Sequence, residues 1–187
     1  MSDDSSNGEL SGLIEELKAV TEDTQKTFGA LSAAQLNWKP SAKQWSVGQC
    51  FEHLIKTNES GFHVLEQVAR GGRRSSLWER ASPLSGFFGW ITIRSLVSPR
   101  KFPAPRAFKP STSDTPADIV ARFAAHQDKL ARMMRATEGA DLKTIITSPI
   151  ARFVTYSLLD AYRMIVPHER RHFAQAQRVT KSEGFPS

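Results

Sequence analysis

At 187 residues, 40% of them hydrophobic, the chain is long enough to fill the core of one domain, and no internal repeat divides it. Its formal net charge of +6 comes from one stretch: Arg70 to Lys109 holds nine basic residues against one acid, Glu79, and the remainder sums to −2. Cys50 is the only cysteine, so no intrachain disulfide can form; the polar, acidic start is unlike a signal peptide, and the longest apolar run, Phe87 to Ile93, falls far short of the ~20 residues a membrane-spanning helix needs. These exclusions leave a cytoplasmic protein without a transmembrane segment, and any nucleic-acid reading must rest on the basic stretch alone.

Residues 1–8 read as a disordered tail. From Glu9 to Leu31, apolar positions at Leu10, Leu13, Ile14, Leu17, Val20, Thr24 and Phe28 recur every three or four residues, the mark of an amphipathic helix. Ser32 and Gln35 then form a capping-box pattern for a short helical turn, ending before Asn37-Trp38-Lys39-Pro40. Ser46 and Gln49 repeat the pattern at the start of a second helix, where Trp45 is placed to staple the first turn. Val47, Cys50, Phe51, Leu54, Phe62, Leu65 and Val68 carry that helix to about Arg70.

Gly71 and Gly72 end the second helix, and a long irregular, basic connection follows to about Thr115. A short helix from Leu84 or Phe88 to Leu96 fits inside it, and Pro99, Pro103, Pro105 and Pro110 keep the rest extended. So long a connection inside a compact domain reads as a functional loop, a lid or an excursion. A third helix starts near Thr115-Pro116, presents Ile119, Phe123, Leu130, Met133 and Met134, and runs to about Thr137 before Gly139. Leu142 to Ser148 lead into a turn at Pro149, with no strand pattern. Ser157 caps a fourth helix to about Val179, in which Pro167 predicts a kink or a π-type irregularity. The expected architecture is an all-α four-helix bundle over residues 9–181, with residues 182–187 as a tail.

The chemistry concentrates in the last helix. His168 and His172 are four residues apart, which places both imidazoles on one face, one turn apart, on the stripe that carries Ala161, Ile165, Ala176 and Val179. Two buried imidazoles in register each need partners for both ring nitrogens, and a metal ion supplies one per ring. His53 lies beside Cys50, Leu54 and Thr57 in helical projection; alone it reads as a core histidine, and beside a metal-ready pair it becomes the natural third ligand. His63 and His126 lack a partner at ligand spacing and read as ordinary surface or edge histidines. His168-Glu169-Arg170-Arg171-His172 also matches the H-E-x-x-H pattern of zinc metallopeptidases. Too little chain follows to supply the usual downstream ligand, which ranks that reading low.

With Asn37-Trp38-Lys39-Pro40, the run from Trp45 to Leu54, and the run from Pro167 to Ala176, the chain resembles the DinB-like family of metal-binding four-helix proteins. The resemblance spans residues 9–181 and implies a three-histidine metal site at His53, His168 and His172. Three neutral imidazoles would leave positions open on a divalent transition metal, zinc or nickel favoured, iron or manganese permitted. The family implies activation of a low-molecular-weight thiol for transfer, or of water for hydrolysis, on a small-molecule substrate, and it suggests a homodimer.

No general base is identifiable from the sequence. Glu52 and Glu169 each neighbour a histidine but project about 100° away from it, toward supporting contacts or toward solvent. Arginines of the basic stretch could hold carboxylates of an acidic thiol. The alternative is a non-catalytic stress or interaction protein that uses the stretch from 70 to 109, with Trp78, Phe87, Phe88 and Trp90, as a partner-binding or membrane-surface element. Nucleic acid is disfavoured, because the aromatic residues mostly fall outside the basic cluster.

Overall fold

The computed structural model describes residues 2–98, 104–149, 151 and 153–187. Pro99, Arg100, Lys101, Phe102 and Pro103, part of the expected basic and proline-broken connection, lie outside the described residues, as does Met1.

Four long helices form the bundle: α1 (Ser2–Phe28), α3 (Val47–Ala69), α6 (Ile119–Arg135) and α7 (Leu158–Thr180). α1 and α3 each pack against both α6 and α7, the arrangement of an all-α four-helix bundle. The short α2 (Ala33–Asn37) links α1 to α3, while α4 (Leu77–Ala81), α5 (Ser85–Val97) and a 3₁₀ turn (Arg106–Phe108) break up the long connection. Both expected capping boxes are present, with the Ser32 and Ser46 hydroxyls accepting from the Gln35 and Gln49 amides, and Ser157 caps α7 by accepting from the Asp160 amide. Gly71 closes α3 at φ 65°, a left-handed conformation that costs a side-chain-bearing residue steric strain.

Several expectations are corrected. α1 runs back through residues 2–8, set aside above as a tail: no proline interrupts it, each added residue contributes a backbone bond, and Asn7 accepts from the Gly139 amide. Residues 182–187 are tied down, with Phe185 edge-on to Trp38 and the Pro186 carbonyl accepting from Gln35. α6 starts at Ile119 rather than near Thr115, because the Thr115 amide and hydroxyl both donate to Asn37 Oδ1 and are spent on tying α2 to this entrance. Pro167 is accommodated within uninterrupted α-helix, without a π turn.

A two-stranded antiparallel hairpin, β1 (Ile145–Thr147) and β2 (Thr155–Ser157), stands where no strand pattern was read, with Ile146 opposite Tyr156. Three-residue strands are too short to display alternation, and this pair is held by its surroundings. Glu79, at the N3 position of the Ser76 capping box of α4, accepts from the Thr147 amide and hydroxyl and from Arg73 Nη2 at 2.6 Å, while Arg73 Nη1 donates to the Ile145 carbonyl. Burial alone would raise the Glu79 pKa; the hydrogen bonds from Ser76, Thr147 and Arg73 hold it below the usual carboxylate value. α5 lies against α7 and β2, and its approach requires Gly89: a Cβ there would come within 2.6 Å of Asp160 Oδ2.

The apolar interior falls into two clusters. One gathers Leu10 to Val20, Phe62 to Val68, Leu130 to Met134 and Leu158 to Val166; the other gathers Phe28, Val47 to Leu54, Ile119 to Phe123, Ala176 and Val179. Cys50 belongs to the second, fully buried and free. Between the clusters each bundle helix contributes polar residues: Thr24, Asn58, Gln127, and on α7 His168, Glu169 and His172.

Candidate metal centre

The second turn of α3 delivers His53, and α7 delivers His168 and His172 one turn apart. One ligand-capable atom from each lies within 4.8 Å of the others, and the ring centroids are 4.6 to 5.2 Å apart. His53 and His172 are buried, while His168 is part-buried. All three histidines predicted as ligands therefore stand together. Among the described residues no other group of three or more histidine, cysteine or acidic side chains has such spacing.

Their chemistry suits a cation. His53 Nδ1 lies 2.6 Å from the Phe108 carbonyl oxygen, which can only accept, so Nδ1 carries the proton and Nε2 presents its lone pair. That Nε2 lies 3.2 Å from His168 Nε2. Burial, ahead of every other influence, pushes each imidazole pKa down: His53 despite its bond to Phe108, His168 with help from the His53 and Arg171 charges, and His172 to about 2 with help from His168, His53 and Arg171. The three are neutral at physiological pH, the form that ligates metal. His172 Nδ1 is buried without a hydrogen-bond partner, a lone pair or N–H whose cost a ligand would relieve. The donor set fits a transition-metal ion.

Other residues hold the cluster in place. Trp45, expected only as a staple, stacks on His172 with ring centroids 5.7 Å apart and tilts over His53 at 5.0 Å. Glu52 turns from His53 to accept from the Ser111 amide at 2.9 Å and to pair with Lys56 at 2.7 Å, anchoring the segment that brings the Phe108 carbonyl to His53. Glu52 therefore takes the supporting role rather than the exposed one. Glu169 is fully buried instead of solvent-facing: Asn58 donates to one oxygen at 3.0 Å and Gln127 to the other at 2.5 Å. Burial raises its pKa to about 7 against the opposing hydrogen bonds from Gln127 and Asn58 and the charge of Arg170. Arg171 lies between the two α7 histidines in sequence, and its guanidinium donates to the Ser98 carbonyl at 2.7 Å at the C-terminus of α5.

His63 is exposed, as expected, and bonds to Gln67. His126 is buried, which corrects its reading as a surface or edge residue; it shares the buried stripe of Phe123, Gln127, Leu130 and Met134 and stacks on Phe62 at 5.2 Å. Helical projection would have placed it inward. The Phe108 carbonyl was not legible, because any residue type offers a backbone carbonyl. Of the basic stretch, Arg73 is committed to Glu79, which removes it from the arginines expected to hold a cofactor.

A four-helix protein with a three-imidazole cluster between two of its helices is thus defined by geometry. Residues 16–176 match the family model of the DinB superfamily. The chain belongs to that superfamily. Among solved structures it is similar to YfiT from Bacillus subtilis, described as "a probable metal-dependent hydrolase with an unusual four-helix bundle topology", with a TM-score of 0.57 and 13% identity over 95% of this chain and 89% of that one. At that identity the likeness concerns the fold. Comparison with curated proteins finds no match. No helix among the described residues is long and apolar enough to cross a membrane.

Proposed function

We propose that this protein is a metal-dependent enzyme in which His53, His168 and His172 hold one divalent transition-metal ion with positions left open, and in which a low-molecular-weight thiol is the activated nucleophile. A divalent ion held there would act as a Lewis acid, lowering the pKa of a thiol or of water toward neutrality. The observation that carries the reading is the cluster itself: three neutral imidazoles converge, and no carboxylate or thiol belongs to the group.

The same observation favours a thiol over water. A free thiol ionises near about 8.5, whereas water needs a far larger shift and is usually helped by a nearby base. Glu52 pairs with Lys56 and accepts from Ser111, and both Glu169 oxygens accept from Asn58 and Gln127; neither carboxylate joins the histidine group, so neither is placed to take a proton from a nucleophile bound there. Hydrolysis is the second reading, and the description of YfiT favours it. In both, Trp45 and the Phe108 carbonyl fix the ring orientations.

Elemental analysis of protein purified without a histidine tag tests the centre. About one equivalent of zinc, nickel, iron or manganese is expected, and its loss in folded His53→Ala, His168→Ala and His172→Ala variants. Turnover of an electrophile that requires both the metal and an added thiol separates thiol transfer from hydrolysis, which needs water alone. Failure to bind any of these ions would sink the proposal.

A further inference from the structure

Every large hydrophobic side chain that stands exposed among the described residues belongs to α4, α5, the turn between them or the loop before β2. On α5 the outward stripe is Phe87, Trp90, Ile91, Arg94 and Val97, spaced by three and four residues, with Trp90 56% and Val97 66% exposed. The opposite side of the same helix, including Gly89, faces α7 and β2. An amphipathic helix normally turns its apolar stripe inward; α5 has one on each side. Leu77 and Trp78 on α4, Leu84 in the turn before α5, and Phe153, just before the strand against which α5 packs, are exposed as well. Patches of this kind mark interaction sites.

The exposed charges carried by residues 74–97 have one sign. Arg74, Arg80 and Arg94 are exposed and form no ion pair among the described residues, and Arg94 lies over the Trp90 ring at 5.6 Å. The one acid of the stretch, Glu79, is buried against Arg73. We propose that α4 and α5 form a peripheral docking surface for anionic lipid bilayers, with the aromatic and aliphatic side chains entering the headgroup boundary and the arginines meeting lipid phosphates.

Three observations choose this occupant. Aromatic residues and arginines without a competing exposed acid are the composition of an interfacial helix. A second copy seated symmetrically would bring together two faces that carry the same positive charge. Single-stranded nucleic acid would use the tryptophans and arginines but would leave Leu77, Leu84, Ile91 and Val97 without a role. Because Arg171, next to His172 on α7, donates to the Ser98 carbonyl at the end of α5, the docked face would be tied to the helix that carries two of the histidines. The proposal does not depend on the metal reading.

Flotation of the full chain with vesicles of phosphatidylcholine alone, or mixed with phosphatidylglycerol, tests it. Binding to the anionic vesicles, weakened by salt, and none to neutral ones is expected. Trp90→Ser should lower vesicle affinity about tenfold, and Arg74→Glu with Arg80→Glu should lower it comparably while leaving the circular-dichroism spectrum unchanged. The charge reversals alter only exposed side chains, so they keep the test open if Trp90→Ser fails to fold. No binding, equal binding to both vesicle types, a Trp90-dependent dimer in place of vesicle binding, or tighter binding to a single-stranded oligonucleotide through the same residues would each overturn the proposal.

Discussion

Around Glu169 both carboxylate oxygens are met: Asn58 and Gln127 each donate to one of them from a different helix, and only Gln127 Oε1 is left without a partner. On either side of Glu169 along the same helix, His168 and His172 meet the other imidazoles, the Trp45 ring, a hydrogen bond between His172 and Gln175 and, through His53, one carbonyl, while His172 Nδ1 has no partner. Both groups place polar side chains in the interior, and both carry a desolvation cost. The first is largely repaid from within the protein and joins α3, α6 and α7. The second brings together three lone-pair donors that cannot satisfy one another fully, which is the condition a cation meets. Burial of a polar side chain is therefore not the mark of the site; convergence without internal satisfaction is.

The sharpest test of that contrast removes one member of each group. His53→Ala, His168→Ala or His172→Ala should abolish metal uptake, measured as metal per chain after dialysis, while keeping cooperative urea unfolding. Glu169→Ala should do the reverse in stability, costing about 4 kcal/mol through a cavity and the donors stranded on Asn58 and Gln127. Equal effects of both kinds of substitution on both measurements would break the distinction.

His126 sharpens the comparison as a buried histidine outside the cluster. Burial, with the Lys129 charge, lowers its pKa to about 4, so the unfolded chain binds the proton more readily than the folded one. Its effect is a stability that is full above the ordinary histidine value and declines as pH falls through about 6.5 toward 4, by about 3 kcal/mol at pH 4. His126→Leu should cancel that loss, measured as the difference from the parent chain in urea melts at each pH, so that other titrations drop out. It should leave metal content unchanged. The smallest expected effect is that of Glu52→Ala, which releases Ser111 and loosens the Phe108 carbonyl from His53; about tenfold weaker metal binding, seen by competition with a chelator, would match a supporting role.

Much of this was legible because the signals are local. The spacing of His168 and His172, the capping pairs at Ser32 and Ser46, and the glycine end of α3 each depend on a few adjacent residues. α4 carries the same Ser76-to-Glu79 capping signal and could have been read. The hairpin could not, since its pairing is stabilised by Glu79 and Arg73 from a distant segment. The lack of a ligand partner leaves the burial of His126 open, whereas its place on the Phe123, Leu130 and Met134 stripe settles it. What stayed hidden around the histidines came through tertiary contacts: a ring from the residue before a cap, and a carbonyl from a 3₁₀ turn.

Cys50, enclosed by the second apolar cluster, has its thiol pushed up to about 12 by burial. In the native chain it carries almost no thiolate, so an alkylating reagent reaches a reactive sulfur only when α3 separates from its neighbours. The protein thus contains its own single-site clock for opening. Its labelling rate, timed with and without added metal, would report how far an ion at His53, one turn further along α3, slows the parting of these helices.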